Sequence, residues 1–217
     1  VTLVPYKTLR KRGHDEFIVN KSRFIADSAP VSTEEDALAF LAQIRARYKD
    51  ASHHCYAYII GRNMGVMRYS DDGELSGGCM PIIEVMKARG VTDCVVVVTR
   101  YFGGILLGAG GLVRAYSQGA ACGVNAGQVG VMHPTARYLM DVPYPMLGKV
   151  EYYLKSAPVQ VEDKQFADVI TLTLLVRCAD QDKLLCDLAA LSDGTLEPLL
   201  FEETYLPWPE EEEQTHD

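Results

Sequence analysis

Val95, Val96, Val97 and Val98 form an unbroken β-branched run after Cys94, and such a run fits a strand covered on both faces better than a half-exposed one. The pattern predicts a central strand. Thr99, Arg100, Tyr101 and Phe102 bring polar and aromatic groups to its end, and Gly103, Gly104, Gly108, Gly110 and Gly111 follow within nine residues. Behind them Leu112, Val113, Ala115, Tyr116, Gly119, Ala120, Ala121 and Val124 read as a helix whose small residues allow close packing on a sheet.

Upstream, strands are predicted over 16–19 and 24–26. Ser32 or Thr33 caps a helix with Glu34, Glu35 and Asp36 in its first turn, and Ala37, Leu38, Phe40, Leu41 and Ile44 form its buried face. Residues 52–60 alternate as a strand, 61–65 turn, and 66–69 return as a hairpin. Pro81 opens a further helix that ends before Gly90. Beyond a linker at 130–137, which contains His133 and Pro134, the pattern changes. It reads as strand 138–143, helix 146–155, strands 157–161 and 169–178, helix 182–191 and strand 197–204, the order of a ferredoxin-like unit.

With 217 residues, 48% of them hydrophobic, the chain is long enough for one large or two small domains with a well-formed core. Its net charge of −8 is unevenly spread: residues 1–135 carry 15 Lys or Arg against 12 Asp or Glu, and 136–217 carry 6 against 17. That excludes a uniformly basic nucleic-acid binder and leaves room for a basic surface on the first part. Five of the acids fall in residues 210–217, which read as a solvated, disordered tail. The six cysteines lack CxxC spacing, which fits reduced thiols. No apolar run has the length of a membrane span, and the first residues lack the apolar stretch of a signal peptide, so the expected compartment is the cytoplasm. The oligomeric state is left open.

The glycine turn is the first candidate site. Unpaired amides at a helix N-terminus favour a phosphate or carboxylate, although the glycines spell neither a P-loop nor a dinucleotide fingerprint and equally suit tight packing alone. If an anion binds there, Arg100 and Arg114 converge on it with the amides around Gly110 and Gly111. Arg114 falls in the first helical turn, and Asp71, Asp72 or Glu74 is its alternative, internal partner. Those three carboxylates could hold magnesium, but Asp-Gly is also an ordinary turn signal, and no structural metal or cofactor is expected. His53 and His54 point to opposite faces of a strand and cannot easily chelate one ion. Lys11, Arg12, Lys21 and Arg23, with Lys7 and Arg10, form a dense basic segment suited to phosphate contacts or to protecting an edge strand. Tyr101 and Tyr116 could stack on unpaired bases. Ser76, Ser117 and Cys79 are candidate nucleophiles by residue type alone, and no nucleophile–base pair is recognisable.

YSDDGELSGGCMPIIEVM and VVVVTRYFGGILLGAGGLVRAY together resemble the paired signatures of the IMPACT family, including its bacterial YigZ-like members, over residues 23–128. The first motif departs from the pattern: the family has Pro where Leu75 stands and a Thr-Ala-Gly run where Gly78 and Cys79 stand, so this loop is one residue shorter. The resemblance implies an α+β chain. An Impact-like domain at 1–133, similar to ribosomal protein S5 domain 2 and to domain IV of translocating elongation factors, has helices packed on a mixed sheet. A ferredoxin-like βαββαβ domain similar to their domain V covers 134–209, and the acidic tail 210–217. Eukaryotic members of the family regulate translation by binding a partner protein. The function this implies is translation-associated binding of RNA, the ribosome or a translation-factor protein; whether the chain also catalyses a reaction is left open, and no membrane partner is expected. The alternative is a small-molecule enzyme or receptor for a phosphate-bearing ligand or other anion at the glycine turn and the Asp71–Asp72–Glu74 loop.

Overall fold

A computed structural model describes residues 3–61, 65–74 and 79–209. The candidate Ser76, the Gly77 and Gly78 positions of the loop expected to be shortened, and the acidic tail lie outside the described residues. The chain divides into two compact units, one of Tyr6–Val131 and the other of the residues from Met132 onward with those before Tyr6.

The first unit contains β1 (Tyr6–Leu9), β2 (Gly13–Val19), β3 (Ser22–Pro30), α1 (Glu34–Arg47), β4 (His53–Ile60), β5 (Val66–Ser70), α2 (Met80–Arg89), β6 (Cys94–Tyr101) and α3 (Gly108–Gly127). Its main sheet has the order β2-β3-β6-β4-β5, with β6 in the centre as the valine run predicts. Every pair in it is antiparallel, where a mixed sheet is expected. The reason is topological. The crossover through α1 makes β3 and β4 parallel to one another, but β6 inserts between them and runs against both.

The valine run serves two cores. Cys94, Val96 and Val98 pack with Ile82, Ile83 and Met86 of α2 and with Leu112, Ala115, Tyr116, Ala120 and Val124 of α3. Val95 and Val97 face the other way, onto Ala37, Phe40, Leu41 and Ile44 of α1. Full burial of both faces accounts for the absence of polar alternation in this strand. Thr33 caps α1 by accepting from the Asp36 amide at 3.1 Å. Leu38, read as part of the buried face of α1, is instead exposed: it follows Ala37 by one residue, and a rotation of about 100° carries it off the apolar stripe. α2 ends on Gly90 in the left-handed conformation at φ 66°, as the Pro-to-Gly spacing predicts.

The second unit is built from β7 (Val129–Val142, which begins in the first unit), a 3-10 turn (Tyr144–Met146), α4 (Leu147–Leu154), β8 (Val159–Phe166), β9 (Ile170–Arg177), α5 (Gln181–Ser192) and β10 (Leu199–Pro207). Its strands lie in the order β10-β7-β9-β8, all antiparallel. The βαββαβ order and this pairing make it ferredoxin-like. Alternate residues Ala136, Tyr138, Met140 and Val142 of β7 meet Val150, Leu154, Leu184 and Leu188 of the two helices. The expected linker at 130–137 is a correction, because those residues lie inside β7. Pro134 does not interrupt the strand: it stands opposite Tyr205 and loses only a donor, while its carbonyl accepts from the Cys178 amide at 2.9 Å.

Candidate functional site

The end of β6, the loop that follows it and the first turn of α3 enclose a cleft of about 540 Å³. It is lined by His53, Gly73, Glu74, Arg100, Phe102, Leu106, Leu107, Gly108, Ala109 and Leu112. β6 brings Arg100 there and β4 brings His53, since the register pairs these two residues directly. Glu74 arrives on a tight turn in which Asp72 and Gly73 both have positive φ, 51° and 79°, closed by the Glu74 amide donating to the Asp71 carbonyl at 2.8 Å. This is the hairpin-type conformation that Asp-Gly favours. The turn therefore aims a glutamate into the unit.

Arg100 Nη1 donates to Glu74 Oε2 at 2.7 Å, and the Tyr116 hydroxyl donates to the same oxygen at 2.8 Å. All three side chains are buried. The Arg100 guanidinium also lies 5.7 Å from the Phe24 ring centroid and 5.5 Å from that of Phe102. Burial drives the Tyr116 phenol well above its ordinary range, with Cys55 and Glu74 adding to the effect. Cys55, whose thiol donates to the Asp71 carbonyl at 3.2 Å, is pushed up to about 12, chiefly by burial. Cys79 is likewise raised by burial. Neither of these thiols is set up as a nucleophile, since reactive thiolates need a depressed pKa.

The two histidines share Asp72 but meet different atoms of it, His53 its carbonyl and His54 its carboxylate, with His54 Nδ1 3.6 Å from Asp72 Oδ2. His53 Nδ1 lies 3.2 Å from the Asp72 carbonyl and Nε2 lies 3.7 Å from Glu74 Oε1. His54 points its Nε2 to the Tyr48 carbonyl at 3.1 Å. The three carboxylates are divided as well: Asp72 accepts from Arg45 at 2.8 Å and from the His54 amide at 3.0 Å, Asp71 caps its own turn, and Glu74 holds Arg100 and Tyr116. Among the described residues no group of three His, Cys, Asp or Glu side chains is arranged to hold a metal ion.

Arg114 differs from the reading of the sequence. α3 starts at Gly108, which puts Arg114 in the second turn, exposed, rather than in the first. The internal acidic partner foreseen for it is taken by Arg100. The glycines have distinct roles. A Cβ on Gly103 would stand 2.0 Å from the Lys21 carbonyl carbon, so the loop and the β2–β3 turn touch backbone to backbone there. Gly108 has a φ of 67°, which turns the chain into α3. Gly104 lies in the loop between them, whereas Gly110 and Gly111 are inside the first turn of the helix.

The basic segment is split between the two ends of β2. Arg12 stacks 5.5 Å over Phe40 and reaches Gln43, with Lys11 beside it in sequence. Lys21 and Arg23 are at the other end, next to the glycine loop: Arg23 pairs with Glu16 at 2.5 Å and lies 5.9 Å over Tyr101. Sequence reasoning missed the apolar face of this loop. Phe102, Ile105 and Leu106 are exposed, Leu106 to 83%. The signal was present in the run Ile105-Leu106-Leu107 between glycines, where nothing in the pattern assigns those residues to a core.

Fold and site together define a two-unit α+β protein in which an antiparallel sheet, covered on both faces, carries a buried Arg–Glu–Tyr network under a glycine loop and is followed by a ferredoxin-like unit. The profile of the Impact N-terminal domain matches residues 20–124, and that of a domain of unknown function (DUF1949) matches 140–195. The chain is 35% identical to the IMPACT family member YvyE of Bacillus subtilis, over 93% of each chain. It is 32% identical to the IMPACT family member YigZ of Escherichia coli, over 85% of this chain and 92% of the relative. The chain belongs to the IMPACT family. Eukaryotic relatives match a shorter stretch: Protein IMPACT of Bos taurus is 36% identical over 41% of this chain and 29% of that one. A crystal structure described as that of a hypothetical protein superposes with a TM-score of 0.59 at 29% identity, covering 93% of this chain and 99% of the other.

Proposed function

We propose that this chain is a translation-associated binding protein that contacts a component of the translation machinery through the loop end of its first unit. The observation that carries this reading is the exposure of Phe102, Ile105 and Leu106 on a loop packed against the backbone of Lys21, with Arg23 and Tyr101 alongside. Exposed apolar side chains grouped with cations and an aromatic ring are what an interface leaves uncovered when its partner is absent. Arg100 does not add its charge to that surface, because Glu74 neutralises it inside the unit. The family supports the same direction, since its eukaryotic members regulate translation by binding a partner protein.

The test is co-sedimentation of the purified chain with ribosomes and with ribosome-depleted lysate, at low and high salt, with the recovered components identified. Wild-type chain is expected to recover ribosomal RNA, a ribosomal protein or a translation factor, and the triple variant Lys21→Ala, Arg23→Ala, Ile105→Asp is expected to lose it. Recovery of no translation component, or equal recovery by the variant, refutes the proposal.

A further inference from the structure

In the ferredoxin-like unit, β10 joins an open backbone edge to an apolar cluster. Among the described residues it pairs with β7 alone, so the peptide groups along its outer edge have no ladder partner there. Leu199 and Phe201 at its start are 66% and 62% exposed, with Leu200 exposed between them. Edge strands are ordinarily guarded by Lys, by Pro or by a bulge. β8, the opposite edge, carries Glu162, Asp163 and Lys164. β10 has no Lys or Arg, its Pro207 stands at the very end, and its bulge lies between Leu200 and Glu202, after which the register runs unbroken to Pro207.

The charge beside this edge is negative and uncompensated. A cleft of about 660 Å³ is lined by Leu139, Asp141, Thr171, Glu197 and Leu199. Met140 and Val142 of β7 and Ile170 and Leu172 of β9 face the helices, which puts Leu139, Asp141 and Thr171 on the opposite face of the sheet. Asp141 accepts from the Thr171 hydroxyl at 2.6 Å, and neither it nor Glu197 pairs with a cation among the described residues. Arg137 is already engaged by Glu162 and Glu202. The excess is general: without the five acids of 210–217, the residues from 136 onward still hold 12 Asp or Glu against 6 Lys or Arg.

We propose that the outer edge of β10 binds an extended peptide segment of alternating basic and apolar residues, added to the sheet as a further strand. The backbone of the segment supplies the missing ladder hydrogen bonds. Its basic side chains fall on one face of the added strand and reach the cleft of Asp141 and Glu197. Its apolar side chains and the stems of its basic ones cover Leu199, Leu200 and Phe201. A second copy of the chain suits the edge less well, because it would bring the same carboxylates to it. This assignment does not depend on the loop of the first unit contacting the translation machinery.

The test is fluorescence anisotropy of a labelled octapeptide of alternating lysine and valine, titrated with the full chain near neutral pH. Three control peptides accompany it: one with glutamate in place of lysine, one with the same residues as a lysine block followed by a valine block, and one N-methylated at every residue. The alternating peptide is expected to bind saturably, and each control at least about ten-fold more weakly. Glu197→Lys and Phe201→Lys, both at exposed positions, should each weaken binding by about ten-fold or more with an unchanged melting temperature. Phe166→Lys on the β8 edge should leave it unchanged. The proposal is overturned if no saturable binding occurs up to about 1 mM, if any control binds as well as the alternating peptide, or if both Glu197→Lys and Phe201→Lys bind as wild type does. An equal loss in Phe166→Lys moves the segment to β8 and overturns it too. Sedimentation of the chain without peptide covers the remaining occupant: a dimer that Phe201→Lys dissolves gives the edge to a second copy and overturns the peptide.

Discussion

Gly119 lies so close to Val98 that a Cβ added to it would stand 2.8 Å from Val98 Cγ1. Val98 belongs to the central strand and is fully buried between its neighbours, so it has little room to yield. Gly119→Ala gains up to about 1 kcal/mol of helix propensity and incurs about 1–3 kcal/mol of overpacking. The overpacking prevails. The variant is expected to have a lower urea midpoint with an unchanged slope. Gly148→Ala is the control, because nothing lies within 4 Å of its added Cβ; it should be neutral or stabilising.

The buried Arg100–Glu74 pair is expected to be costly to break from either side. Arg100→Ala or Glu74→Ala leaves an uncompensated buried charge, a loss of about 3–5 kcal/mol. Arg114→Ala, at an exposed position outside that network, should change stability by no more than about 0.5 kcal/mol. Chemical denaturation of the three variants checks the ranking, and an equal effect at Arg114 would contradict the pairing described above.

Alkali should destabilise the first unit. The Cys55 and Cys94 thiols are pushed from an ordinary value of 9.0 up to about 12, chiefly by burial. A raised folded-state pKa of this kind gives stability that is fully present below the unfolded value and is lost as pH rises toward the folded one. The melting temperature is therefore expected to fall between pH 9 and about 12. Cys55→Ser and Cys94→Ala should flatten that fall. In native protein an alkylating reagent should modify the exposed Cys186 well before Cys55 or Cys94.

Splitting the basic segment tests which end of β2 meets the partner. If the translation component is bound at the loop end, Lys21→Ala with Arg23→Ala should weaken binding and reduce its salt dependence, the slope falling by about 1 for each phosphate no longer neutralised. Lys11→Ala with Arg12→Ala should leave both unchanged. The opposite result would move the binding surface to the Phe40 end.

Much of the fold was legible because its signals are local. The unbroken valine run specified a strand buried on both faces, Thr33 and Gly90 marked helix ends, and the βαββαβ order appeared in the periodicity of residues 138–204. What escaped depended on strands distant in sequence. Nothing in the order β3-α1-β4 reveals that β6 will insert between them and make the sheet antiparallel, and Pro134 carries the same turn signal inside a strand as outside one. The site divided in the same way. Arg100 and Glu74 were both picked out, but which arginine holds the glutamate depends on β6 register and on a turn 26 residues away in the chain. His53 was judged by the face it shares with no other histidine, whereas its place beside Arg100 comes from cross-strand pairing.

Phe102 and Leu106 are at once wall of the cleft and part of the exposed surface of the loop. The surface proposed to meet a partner is thus backed by open volume rather than by packed core. Leu106 can change rotamer toward the cleft without displacing buried atoms, so the loop would fit its shape to a partner at little packing cost.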